Sequence, residues 1–98
     1  MTHAPALRPS ADAVFRELEG EAVILDLGSG RYFGLNRVGT RVWTLLDAGL
    51  PVDAIVAAIS DEYDAEPQRI ARDVRTLLDE LVARGLIVPA EAPPRGSA

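Results

Sequence analysis

The sequence predicts an α+β fold: a three-stranded antiparallel sheet packed on a three-helix bundle, winged-helix-like in outline. Three observations carry the prediction. Apolar residues alternate at period two over residues 21–27, and short extended runs flank this segment at 13–18 and 31–35. From Asn36 onward the apolar spacing changes to that of a helix. Gly49, Pro51, Pro67 and Gly85 then divide the remainder into three helical segments.

The first strand carries Val14, Phe15 and Leu18, and Glu19-Gly20 is a two-residue turn. The second is the most strand-like run of the chain. Val23, Leu25 and Leu27 share one face, and Ala22, Ile24 and Asp26 the other. Gly28-Ser29-Gly30 reverses the chain, since glycine accepts the positive φ of tight hairpins. The third strand returns with Tyr32 and Gly34 on one face and Arg31, Phe33 and Leu35 on the other. Asn36 is placed to cap the first helix, whose stripe is Val38, Val42, Leu45 and Leu46, and Trp43 sits at its margin as a packing residue. Gly49 stops that helix, and Pro51 suits the first turn of the second. The acidic run Asp61, Glu62 and Asp64 opposes the helix dipole, so the second helix stops near Tyr63. Pro67 opens the third helix, with the stripe Ile70, Val74, Leu77, Leu78 and Leu81. Gly85 closes it, and Leu86 folds back on Leu81. Ile87 and Val88 form a short extended piece.

With 98 residues the chain holds one small domain, and a hydrophobic fraction of 48% is enough for a core. The expected organisation is a flexible N-terminus over 1–11, a folded domain over 12–88 and a disordered, proline-rich tail over 89–98. No apolar run is long enough to cross a membrane and no signal peptide stands at the start, so a cytoplasmic location without membrane association is expected.

Composition also excludes function classes. There is no cysteine, and His3 is the only histidine, so thiolate chemistry, a histidine base and a metal centre lack their side chains. No cofactor is expected. The net charge is −5 and every basic residue is an arginine, scattered along the chain. That balance opposes a phosphate backbone, so nucleic acid is not an expected partner. Neighbouring carboxylates such as Asp61–Glu62 and Asp79–Glu80 diverge by about 100° on a helix and face no common site. The Gly28-Ser29-Gly30 turn lacks the lysine and following helix of a phosphate loop. The serines have no basic partner. An enzyme is therefore not expected.

Binding by backbone is the alternative. A sheet edge presents unpaired N–H and C=O groups to an extended peptide, and strand addition is an established recognition mode. In the third strand Tyr32 and Phe33 could shape pockets while Gly34 allows close approach; equally, the two aromatics could be ordinary core and rim residues. On the third helix Asp73 lies at the apolar boundary, where it could bond a peptide or simply pair with Arg69 at i−4. The stripe has two flanks, one with Asp73, Thr76 and Glu80 and the other with Ala71, Arg75 and Val82. An exposed edge also allows a homodimer through the third strand.

Three motifs, in order and at matching spacing, resemble the PqqD-like family. They are Leu25-Asp26, Ser29-Gly30, Tyr32 and Leu35-Asn36 around the turn; Gly39, Val42-Trp43 and Leu45-Leu46 in the first helix; and Asp73-Val74, Leu78, Leu81 and Gly85-Leu86 in the last. The likeness covers residues 12–88. It implies a winged-helix-like recognition element that binds the leader of a ribosomally made, modified peptide as an added strand between the third strand and third helix. The bound precursor is then presented to a partner enzyme. The Ser29-Gly30-Arg31-Tyr32 turn and the short form are most similar to the lasso-peptide type, which implies a separate leader peptidase as partner. By position, the implied groove residues are Tyr32, Phe33, Gly34 and Leu35 on the strand and Asp73, Val74, Thr76, Leu77 and Glu80 on the helix. The alternative for the same parts is a winged-helix DNA-binding regulator, disfavoured by charge.

Overall fold

The structure is a computed structural model that describes residues 7–90. Its elements are β1 (Leu7–Pro9), β2 (Ala13–Leu18), β3 (Glu21–Asp26), β4 (Arg31–Leu35), α1 (Arg37–Asp47), α2 (Val52–Tyr63), α3 (Pro67–Ala83) and β5 (Ile87–Pro89). Strands β2, β3 and β4 form the expected antiparallel sheet in that order. The fold is α+β, with this sheet and the three helices in the sequence predicted.

Two hairpins fix the register of the sheet. Leu18 pairs with Glu21 across the Glu19-Gly20 turn, in which both central residues have positive φ (55° and 85°). That is the primed turn whose twist matches the flanking strands. The second hairpin pairs Asp26 with Arg31. Asp26 holds its turn together: its Oδ1 accepts the Gly28 N–H at 3.1 Å and its Oδ2 accepts the Ser29 hydroxyl at 2.8 Å.

Alternation decides which face is core. Ala22 and Ile24 are buried on the helix side of β3, while Val23 and Leu27 face outwards. On β4 Leu35 is buried and Phe33 packs on the core, whereas Tyr32 is 70% exposed. The core centres on Ile24, Val42, Leu46, Ile55, Ile59 and Leu81. Trp43 packs inside it and stacks on Phe15, with ring centroids 5.9 Å apart.

The helix ends follow their caps. The Asn36 side chain accepts the Gly39 N–H at 2.8 Å and starts α1. At the end of α3, Gly85 adopts φ +73°, its N–H bonds Val82 O, and the Leu86 N–H bonds Leu81 O at 2.9 Å. This paired arrangement satisfies the last carbonyls and buries Leu86 beside Leu81. Helix α2 ends at Tyr63, as the acidic run implied, with Asp64 in the left-handed conformation. Pro51 occupies the N-cap rather than the first turn of α2, a position that likewise needs no N–H.

One element departs from the expectation. From sequence, residues 7–9 belong to the flexible N-terminus and Pro89 to the tail. In the structure β1 and β5 form a second, two-stranded antiparallel sheet, pairing Leu7 with Pro89 and Pro9 with Ile87. Proline is admissible because each sits at a strand terminus, where no ladder N–H is required of it. The Ser10 N–H continues the clip by bonding Leu86 O at 2.8 Å. The expectations of flexibility for residues 1–6 and disorder for 91–98 lie outside the described residues.

Candidate functional site

Strand β4 pairs with β3 along one edge only, and no strand of the described residues lies along its other edge. In an antiparallel ladder alternate residues direct their N–H and C=O groups to the neighbour, and the others direct them away. One alternating set on β4 is therefore free to receive another strand.

Across from that edge stands α3, and between the two runs a groove of ≈ 380 Å³. Its strand wall is Phe33, Gly34 and Leu35. Its helix wall is Ile70, Asp73, Val74, Leu77 and Glu80, and α1 closes one side with Asn36, Val38, Gly39 and Val42. The helix residues recur at i, i+3, i+4, i+7 and i+10, one face of a helix. The lining is apolar at depth, with Val42 and Val74 buried. Asp73 and Glu80 are exposed and set two carboxylates on the rim. Gly39 also lines the groove, and a Cβ there would stand 3.1 Å from Leu35 Cδ2 and 3.3 Å from the capping Asn36 Oδ1.

Of the nine residues expected from the sequence, seven line this groove: Phe33, Gly34, Leu35, Asp73, Val74, Leu77 and Glu80. Two do not. The Tyr32 side chain lies on the outer face of the sheet, in a shallow depression with Val14, Val23 and Leu25. The Thr76 hydroxyl donates to Arg72 O at 3.0 Å on the exposed side of α3. The groove thus resolves which flank of α3 faces β4: the one with Asp73 and Glu80, not the one with Ala71 and Arg75. Sequence reasoning missed Asn36, Val38, Gly39, Val42 and Ile70. The clue is the helical stripe of α1 itself, whose Val38 and Val42 serve the groove as well as the core.

The electrostatics of the site are those of a surface cleft. Arg84 lies over the Phe33 ring, its guanidinium carbon 5.0 Å from the centroid, a cation–π contact at the turn end of the groove. Away from the groove, Arg41 and Glu62 form an ion pair. Glu62 is held below the usual carboxylate range by hydrogen bonds from Arg41, and Arg41 is correspondingly raised. Among the described residues, no group of three or more His, Cys, Asp or Glu side chains is placed to hold a metal ion. No helix among them is long and apolar enough to cross a membrane. What the groove offers a ligand is a line of backbone donors and acceptors, an apolar floor and an acidic rim.

Comparisons with known proteins bear on what that groove receives. The chain is similar to TbiB1, solved in complex with the TbiA(beta) leader peptide, at 35% identity and a TM-score of 0.78, with 93% of this chain and 98% of that chain covered. It is similar to the PqqD truncation of Methylobacterium extorquens PqqCD, described as a functional, stand-alone recognition element for ribosomally synthesised and post-translationally modified peptides. There the identity is 25% and the TM-score 0.70, over 84% of this chain and 87% of that one. A lasso peptide synthetase B1 complexed with its leader peptide shares the fold, with a TM-score of 0.78 at 24% identity over 86% of this chain and 99% of that chain. No curated protein matches the sequence. Residues 21–87, more than half of the chain, match the family described as coenzyme PQQ synthesis protein D, and the chain belongs to that PqqD family.

Proposed function

We propose that this chain is a non-catalytic recognition domain for the leader region of a ribosomally synthesised precursor peptide. The leader adds as a strand to the free edge of β4 and lies against α3. Backbone hydrogen bonds to β4 supply much of the affinity, and the apolar floor around Val74 and Leu77 selects side chains. Asp73 and Glu80 bond donors of the peptide from the rim. The observation that carries the reading is an unpaired strand edge facing an apolar helix wall across a groove of ≈ 380 Å³. The 35% identity to TbiB1, a protein solved with a leader peptide, supports the same ligand class. The Ser29-Gly30-Arg31-Tyr32 turn and the short form favour the lasso-peptide type, in which the loaded domain hands the precursor to a separate leader peptidase in the cytoplasm.

A DNA-binding role fits the site poorly. The rim is acidic and the chain carries a net charge of −5, so a phosphate backbone meets repulsion where contact is needed.

The test is fluorescence polarisation with the labelled leader of the precursor encoded beside this gene. Saturable binding is expected, weakened in Asp73→Asn with the circular dichroism unchanged. Failure of that leader to bind at micromolar protein sinks the proposal. The β4 edge also permits pairing with a second copy, in which case the leader displaces it. Size-exclusion chromatography with and without leader measures that competition.

A further inference from the structure

A second hollow, of ≈ 210 Å³, continues the groove at its turn end. Phe33 belongs to both, so the two are joined along β4. Its chemistry is different. Arg31 and Arg84 stand on its two sides, one from the strand and one from the C-cap of α3. Among the described residues neither guanidinium is ion-paired. The carboxylate facing them is Asp26, and both its oxygens are engaged within the turn by the Gly28 N–H and the Ser29 hydroxyl. Glu80, one helical turn before Arg84, lines the main groove instead of this hollow. The hollow is therefore locally cationic on a chain with a net charge of −5. The Phe33 ring lies under the Arg84 guanidinium at the border of the hollow.

We propose that this hollow is a carboxylate subsite: it takes an Asp or Glu side chain of the docked peptide, at the end of the segment beside the β3–β4 turn. The inference rests on the peptide-binding reading above. The planar fork of an arginine matches a carboxylate in bidentate geometry, and two arginines flanking one hollow discriminate an acid from its amide by charge. The occupant is thus polar in a defined sense. It carries apolar side chains over Val74 and Leu77 and an acidic one toward Arg31 and Arg84.

The experiment selects a phage-displayed library of random linear peptides on the full chain and on Arg84→Gln. The expected result is enriched sequences with Asp or Glu at one fixed spacing from their apolar residues, and a clearly smaller acidic preference on Arg84→Gln. A selected peptide is then synthesised with its acid and with the amide. Both arginines are exposed, so the acid-to-amide change weakens binding to the wild type by about three- to fivefold, less at high salt. On Arg84→Gln, where Arg31 alone remains, the same change has a clearly smaller effect, a coupling that mere loss of packing on Phe33 does not produce. Enrichment of apolar peptides with no fixed acidic position overturns the subsite and leaves the groove reading standing. No enrichment of any peptide overturns both.

Discussion

Leu77 and Leu78 are adjacent in sequence and point about 100° apart on α3, which separates binding from folding at neighbouring positions. Leu78 is 5% exposed and belongs to the core, while Leu77 is partly buried and lines the groove. Truncating Leu78 to alanine leaves a cavity in a closed core and costs about 2–5 kcal/mol of stability. Truncating Leu77 removes three carbons, at about 0.8 kcal/mol for each group fully buried. Most of that surface is already covered in the free protein, so Leu77→Ala costs about 1.5–2 kcal/mol in folding. The remainder is covered only when a peptide docks. With the lost contacts to the ligand this amounts to about 1 kcal/mol, or about fivefold in Kd. Urea denaturation gives the first quantity and leader titration by fluorescence polarisation the second. Leu78→Ala is expected to lose the larger stability yet bind within about twofold of wild type once corrected for its folded fraction. Equal affinities for Leu77→Ala and wild type, or a larger loss in Leu78→Ala, would refute the assignment of the groove to the peptide.

Tyr32→Ala is expected to weaken leader binding less than Leu77→Ala. Its ring makes a cross-strand contact on the outer face, worth about 0.2–1 kcal/mol, and only borders the arginine-flanked hollow, so a tenfold loss in the same titration would place the ligand on the outer face. Glu19→Asn should stabilise the protein by about 0.5–1 kcal/mol, because Glu19 holds φ 55° in a turn that favours Asn-Gly; a melting temperature at or below wild type contradicts this. Glu62 has its folded pKa depressed, mainly by the Arg41 hydrogen bonds, so its contribution is present above the unfolded carboxylate pKa and lost as pH falls through the folded one. Wild type and Glu62→Gln should differ in urea midpoint at neutral pH and converge in acid, by an amount that shrinks with salt because the pair is exposed; a pH-independent difference removes the ion pair as its cause.

Much of this architecture was legible because each element carries its own punctuation. Asn36 caps, Gly85 stops, and the period-two run over β3 can only be a strand. The β1–β5 pair was not legible, because nothing local specifies it. Leu7–Pro9 is three residues long and ends in proline, and it is a strand only by virtue of a partner at Ile87–Pro89. The groove face of α3 was half legible for a similar reason. The stripe shows which residues are apolar, but rotation of the helix about its axis is set by packing on α2 and β5. Thr76 lies about 60° around the helix from Asp73, on its solvent side, and so falls outside a groove that Asp73 and Glu80 both reach. Tyr32 was grouped with its strand, although alternation alone turns its side chain to the opposite face from Phe33.

The unanticipated β1–β5 clip also explains why the groove stays open. An uncovered edge beside an apolar helix is unstable toward collapse, since closing it would bury the exposed part of Leu77. Helix α3 is prevented from doing so by what holds it on its other side. Its body packs on α2, and its end is fixed by the Gly85 cap and by β5, which the Ser10 N–H and β1 tie to the domain. Strand β4 is held from the opposite direction, by β3 along one edge and by α1, which follows it after the single residue Asn36. The two walls thus lean mainly on different elements, α3 on α2 and β5 and β4 on β3, while α1 packs against both and closes one side of the gap. Side chains add to this on the rim, where Asp73 and Glu80 would lose hydration if the gap closed without a partner. A peptide that supplies backbone hydrogen bonds to β4 and apolar surface to Leu77 fills the gap without that penalty, which is the physical sense in which the fold is built around a missing strand.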